Sequence, residues 1–227
     1  GSRSHSAQTE PFPTEAIQKL FLERLVVDYD CVFCMTISAS RSPINANATR
    51  ASFAILKDYR PSRQAAGVTG PFLMRVIDTQ TLFAGSGPAV VAAAQMAASD
   101  LTPAQIRERL EHICHNSYGY MLPRDLYYLR ARGKTKGDRS VGLFSAALGS
   151  ALDIKPLLRG WRGDTGPVAK MRGFDVGAET LFKHVAERVR AGLLVPAVCL
   201  SYGGDLGVMR QLRGYQTLVA ACVEHKV

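Results

Sequence analysis

Two short runs constrain the fold most. Cys31–Ile37 (CVFCMTI) is continuously apolar apart from one threonine, and Phe72–Asp78 (FLMRVID) is mostly so. Both are too short for a core helix. An unbroken apolar run of this length suits a parallel strand covered on both faces. Helical patterns surround the two runs. Residues 14–27 place Ile17, Leu20, Phe21, Leu25 and Val27 along one face, with Thr14 as candidate N-cap. A helix follows the loop Ser38–Ser42, from about Pro43 to Tyr59. Helices over Ala84–Ala98 and Thr102–Asn116 come after the second run, and Thr102-Pro103 supplies the latter with an N-cap and an N1 proline. Strand–helix–strand–helix order predicts an α/β fold.

The pattern changes in the middle of the chain. Tyr118–Pro123 reads as a short strand, Arg124–Arg132 as a short helix and Arg139–Leu152 as an apolar helix. Asp153–Arg159 and Pro167–Arg172 read as an antiparallel pair around Gly160–Gly166. Helix Phe174–Arg190, apolar strand Ala197–Tyr202 and helices Asp205–Leu212 and Tyr215–Val223 then resume the first pattern. The expectation is an α/β fold with a mainly parallel sheet and helices on both faces. An inserted α+β second domain carries the antiparallel pair. The α/β domain would comprise 7–83 and 174–227, and the second domain 84–173.

Several function classes find no support. No apolar run approaches the roughly 18–20 residues of a membrane span. Residues 1–16 are polar and broken by Pro11 and Pro13, so no secretory leader is expected. Five cysteines (31, 34, 114, 199, 222) form no disulfide framework, which points to a reduced, cytoplasmic setting. Cys31 and Cys34 form a CxxC, but positions three apart on a strand face opposite ways, so no metal is expected there. His112 and His115 lack an accompanying carboxylate motif. Gly133-Lys134-Thr135 lacks the first glycine of a phosphate loop. No GxSxG or HExxH occurs, and no cofactor is expected.

Charge is unevenly placed. Residues Arg124 to Arg172 hold 11 Lys/Arg against 4 Asp/Glu, which is +7 of the chain's +9. Such a surplus suits an anion or an acidic partner. The segment lacks the interleaved aromatics of common nucleic-acid modules, so nucleic acid is not expected.

Ser38-Ala39-Ser40-Arg41-Ser42 follows the carboxyl end of a buried strand, the edge where open α/β sheets gather ligands. Its hydroxyls, loop N–H groups and the next helix N-terminus could hold a carboxylate or phosphate; the alternative is an ordinary hydroxyl-rich cap. Asp78-Thr79 reads as a capping aspartate at the second strand end. Loop 130–139 is either a flexible basic loop or an anion- or partner-docking one. A stand-alone enzyme acting through it on a small phosphorylated or carboxylated substrate is the alternative function.

Beyond these readings, the chain resembles the DegV family of bacterial fatty-acid-binding proteins. Ile37–Ala48 (ISASRSPINANA) stands where the family has I-S-S-x-L-S-G-T-Y-x-x-A, and Val76–Thr79 (VIDT) where it has V-I-D-S. Tyr128–Thr135 (YLRARGKT) sits where the family has Y-L-x-x-G-G-R-I, with Lys134 in the place of its arginine. The most specific stretch, Leu148-Gly149 through Ile154-Lys155-Pro156-Leu157 and Gly163 to Lys170-Met171-Arg172-Gly173, is similar to L-x-I-K-P-I-L…G…K-x-R-G. Thr9–Ile17 occupies the place of T-S-Q-P-S-P-E-D-F. The family's early D-S-x-x-D and late H-x-G-P-G are not found in the chain, which resembles the middle four-fifths of a member.

The resemblance implies one long-chain fatty acid held between two domains. Thr9 and Ser38, with Ser40, would bind the carboxylate. Phe83, Val90, Ala94, Leu143, Phe144 and Ala147 would line the acyl pocket. Arg130, Arg132, Lys134 and Lys136 would dock a separate ATP-dependent fatty-acid kinase subunit, or the phosphate it transfers. The chain itself would not be an enzyme.

Overall fold

The structure is a computed structural model, and it describes residues 9–126 and 153–227. The first helix, α1 (Thr14–Leu20), widens into a π-helical turn at Phe21–Leu25 and closes at Val26–Asp28. Thr14 is its first residue and not its cap: Pro13 precedes it in extended conformation. Strand β1 (Cys31–Thr36) follows, then α2 (Ile44–Ala54), a 3₁₀ turn and α3 (Tyr59–Ala65). Strand β2 (Leu73–Asp78) pairs with β1 in parallel, Cys31 opposite Leu73 and Thr36 opposite Asp78.

Both faces of this pair are covered, as continuous apolar strands require. On one face Val32, Cys34, Met74 and Val76 pack against Ile17, Phe21, Ala48 and Ala51. On the other, Phe33, Met35 and Ile77 pack against α4 (Gly87–Ala97) and α5 (Pro103–His115) through Ala89, Ala92 and Ile113. Alternation along β1 thus sends Cys34 into the first layer and its neighbours Phe33 and Met35 into the second. Thr102 caps α5 in a reciprocal box with Gln105. Arg63, 2% exposed, clamps the end of the first helix to the start of β1. Its guanidinium donates to the carbonyls of Val26, Tyr29 and Thr69 and pairs with Asp30 at 2.5 Å.

The second sheet is antiparallel, in the order β3 (Gly119–Met121), β4 (Ile154–Trp161), β5 (Asp164–Arg172). It packs against α6 (Phe174–Arg190), which in turn packs on α7 (Leu206–Gln211) and α8 (Arg213–His225) through Phe182, Ala186, Met209 and Leu218. Close approach of α6 needs Gly177, where a β-carbon would meet Leu122 and Met171 at 2.8 and 3.2 Å. By packing, then, α4 and α5 cover the parallel sheet, and α6 to α8 cover the antiparallel one.

Three further expectations change. Ala197–Tyr202 is not a strand: the Ala197 N–H bonds the Val195 carbonyl in a tight turn. The apolar run there divides its side chains between two cores. Val195 and Ala197 go to the parallel-sheet layer, Val198 and Tyr202 to the α6–α8 layer. The β4–β5 connection is only Arg162-Gly163, both at positive φ (50° and 84°), a two-residue hairpin turn in place of the longer loop from 160 to 166. Residues 124–126 are not helical, and the rest of the expected helix Arg124–Arg132, like Arg139–Leu152, lies outside the described residues. The architecture is α/β with a parallel pair and a separate antiparallel sheet.

Candidate functional site

The in-register parallel pair brings the carboxyl ends of β1 and β2 together. Thr79 ties them: its N–H and Oγ1 both donate to the Thr36 carbonyl, at 3.1 and 2.8 Å. Asp78 Oδ1 accepts from the N–H groups of Ala39 (3.2 Å) and Gln80 (2.9 Å), joining the loops that follow the two strands. Asn45 Nδ2 donates to Thr36 Oγ1 at 2.9 Å, anchoring the start of α2 to the same edge. The Ser38 N–H donates to the Thr81 carbonyl at 3.0 Å. These bonds fix Ser38 at 1% exposure beside two other buried hydroxyls, Thr79 and Thr81.

The β4–β5 hairpin tip seats on this edge. The Gly163 N–H donates to the Gln80 carbonyl at 2.8 Å, Thr81 Oγ1 to the Gly160 carbonyl at 3.2 Å, and Arg41 Nη2 to the Thr165 carbonyl at 3.1 Å. Ser40 Oγ donates to the Gly163 carbonyl. That assignment orders the protons. Ser38 and Ser40 hydroxyls lie 2.9 Å apart, and with Ser40 committed to Gly163, Ser38 donates to Ser40. An arriving anion can therefore redirect the Ser38 proton without breaking the Ser40–Gly163 bond. A β-carbon at Gly163 would stand in contact with the pair, 3.6 Å from Ser40 Oγ and 3.8 Å from Ser38 Oγ, so glycine keeps side-chain bulk away from the buried hydroxyls on that side. A hydroxyl pair with one redirectable proton suits a carboxylate or a phosphate.

The other expected residues fall as follows. Thr9 is exposed on the segment leading to α1. That segment is tied to α2, because Asn47 Nδ2 donates to the Phe12 carbonyl at 2.7 Å. Val90 (51% exposed) and Ala94 lie one turn apart on the outer side of α4, and Phe83 (37% exposed) precedes the helix at φ 61°. Leu143, Phe144, Ala147, Arg130, Arg132, Lys134 and Lys136 lie outside the described residues. The structure adds Thr81, and it gives Gly163, known from the sequence only as one position of the most specific resembling stretch, a place beside the serine pair. Their signals were a threonine three past a strand-end aspartate, and Arg-Gly between two extended runs.

Other chemistry lies elsewhere. Among the described residues no group of three or more His, Cys, Asp or Glu is placed to hold a metal. Burial pushes the Cys31 and Cys34 thiols up. An open groove lined by Leu73, Arg75, Thr102, Arg107 and Glu111 sits at the opposite end of β2 from the serine loop.

The hydroxyl edge, its hairpin cover and the two-sheet arrangement agree with a family match. The model described as "Uncharacterised protein, DegV family" matches residues 2–226. The chain belongs to the DegV family. A DegV domain-containing protein of Xanthomonas campestris pv. campestris is 60% identical over 220 residues, 97% of this chain and 70% of that protein. A DegV family protein from Ruminococcus gnavus superposes with a TM-score of 0.68 at 16% identity, over 96% of this chain and 70% of that one. One from Thermus thermophilus gives 0.57 at 20% identity, over 81% and 56%. At such identities the two structures attest the DegV fold.

Proposed function

We propose that this DegV protein binds a long-chain fatty acid with its carboxylate at the serine loop. The buried Ser38 hydroxyl carries the reading: it is pinned by backbone at the carboxyl edge of the parallel sheet and its proton can be redirected. Ser40 is its partner, and Thr9, on the segment tied to α2, supplies a further hydroxyl. Described relatives agree in kind. The Ruminococcus gnavus protein is described with vaccenic acid, and the Thermus thermophilus study reports fatty acid binding. The acyl chain would lie between the parallel-sheet layer and the antiparallel-sheet layer, against Phe83, Val90, Ala94, Leu143, Phe144 and Ala147. Burying about 15 methylenes at ~0.8 kcal/mol each supplies the gross affinity, offset by ordering costs.

The chain is read as a carrier and not a catalyst. It would present the carboxylate, in the cytoplasm, to a separate ATP-dependent kinase subunit docking at Arg130, Arg132, Lys134 and Lys136. The test is calorimetric titration with palmitate, together with lipid extraction of the purified protein. Saturable binding is expected, with Ser38→Ala weakening it by about tenfold or more, the worth of one hydrogen bond to a charged group. Unchanged affinity in that variant removes the carboxylate assignment. No binding and no extracted lipid removes the function.

A further inference from the structure

An aromatic and cationic ladder crosses the antiparallel sheet and ends at the hairpin tip that covers the serine loop. Tyr120 lies opposite Arg159 in the β3–β4 register. Tyr118 stacks on Tyr120 (centroids 6.3 Å, planes 17° apart) and on Trp161 (5.3 Å, 18°). Two guanidiniums lie against the indole: Arg162 Cζ is 4.3 Å from its centroid and Arg159 Cζ 5.3 Å. Arg162 Nε donates to the His115 carbonyl at 3.2 Å, which fixes the plane of the group.

Among the described residues neither arginine has an ion-pair partner. Asp164 stands opposite Trp161 in the β4–β5 register, yet among the described residues no carboxylate comes within 4.0 Å of Arg159 or Arg162. Stacking and the single Nε bond spend one donor of Arg162 and leave its two Nη groups for a planar, two-point contact with an oxyanion. Much of the entropy of ordering a long side chain is already lost in the stack. The next residue is Gly163, whose carbonyl accepts from Ser40, so the charged shelf adjoins the hydroxyl pair through one peptide unit. Two such guanidiniums match a doubly charged tetrahedral phosphate better than a singly charged carboxylate.

We propose that Arg159 and Arg162, stacked on Trp161, form a phosphate-binding subsite at the rim of the serine loop. It deepens and rests on the fatty-acid reading: phosphate is the group a kinase would add to a carboxylate held at Ser38. The shared chemistry is a phosphate group, arriving either free or on an acyl chain.

Trp161 is the chain's single tryptophan, so its emission reports on this shelf alone. The full chain is titrated with inorganic phosphate and, separately, with hexadecyl phosphate, at fixed ionic strength made up with chloride. Palmitate affinity is measured in parallel by calorimetry. A saturable emission change with at least one phosphate probe is expected, weakened about tenfold or more in Arg162→Gln and further in Arg159→Gln/Arg162→Gln. Palmitate affinity should stay within about twofold in both variants, whose folding is checked by thermal melting. A response to inorganic phosphate assigns a free-phosphate source, and a response to hexadecyl phosphate alone assigns phosphate carried on an acyl chain. No saturable response to either probe, or equal responses in wild type and the double variant, overturns the subsite. The two readings fail separately. Palmitate binding without any phosphate response sinks the subsite alone, whereas a phosphate response without palmitate binding sinks the fatty-acid reading.

Discussion

Cys114 and Ser38 show how differently two small side chains behave once buried. Ser38 keeps a partner for its hydroxyl and its N–H, so burial preorganises it without stranding a polar group. Cys114 has no such use. It sits in the layer between β2 and α5 with 0% exposure. Burial there penalises the thiolate, Asp78 and Glu111 add like charge, and the thiol is pushed up to about 11. An unfolded cysteine titrates near 8.5, so between roughly pH 8.5 and 11 the folded state holds a proton that the unfolded state has lost. The sign follows: stability falls as pH rises through that window, and is unaffected by this group below it. Thiol labelling at pH 8.5 should modify the exposed Cys199 promptly and Cys114 only after unfolding in denaturant. Prompt labelling of Cys114 in the native protein would contradict its placement.

Among the elements, the β4–β5 hairpin contributes most to the site, and its turn is the point of leverage. Gly163 at φ 84° serves two purposes, making the turn and keeping side-chain bulk away from the serine pair. Gly163→Ala should cost about 1 kcal/mol from the left-handed backbone alone, read by denaturant melting. It should also weaken palmitate binding, because a methyl at 3.6 Å from Ser40 Oγ occupies space beside the hydroxyls. A variant with lower stability and full affinity would show that the ligand approaches from another side. The strands and long helices were legible in the chain because each carries one dominant signal. β1 is an unbroken apolar run, α5 opens on Thr102-Pro103, and α6 has a clean apolar face. Residues 197–202 carried the same signal as β1 and form no strand, since their apolar side chains feed two cores with no neighbouring ladder. Ser38 and Ser40 were legible as hydroxyls after a strand. Thr81 was not, and Gly163 stood only as one position of the resembling stretch, because their roles come from contacts across about eighty and over a hundred and twenty residues of chain, to Gly160 and to Ser40.

For the whole molecule, the serine loop is also the joint between the two sheets. The bonds from Gly163 to Gln80, Thr81 to Gly160, Ser40 to Gly163 and Arg41 to Thr165 all cross from one layer to the other. A ligand headgroup at Ser38 would sit among these bonds, and an acyl chain between the layers would add apolar contact to both. Binding and inter-layer cohesion should therefore be coupled. A ligand that binds only the folded state adds RT ln(1 + [L]/Kd), about 2.7 kcal/mol at a hundredfold excess over Kd. Thermal melting with excess palmitate should thus raise Tm by several degrees in the wild type. Thr81→Val, which deletes one inter-layer bond without touching Ser38 Oγ, should lower the unliganded Tm yet keep most of the palmitate shift. Ser38→Ala should do the reverse, with an unliganded Tm near wild type and a diminished shift. If Thr81→Val abolishes the shift while Ser38→Ala preserves it, the carboxylate is held by the hairpin side of the joint and not by the serine loop.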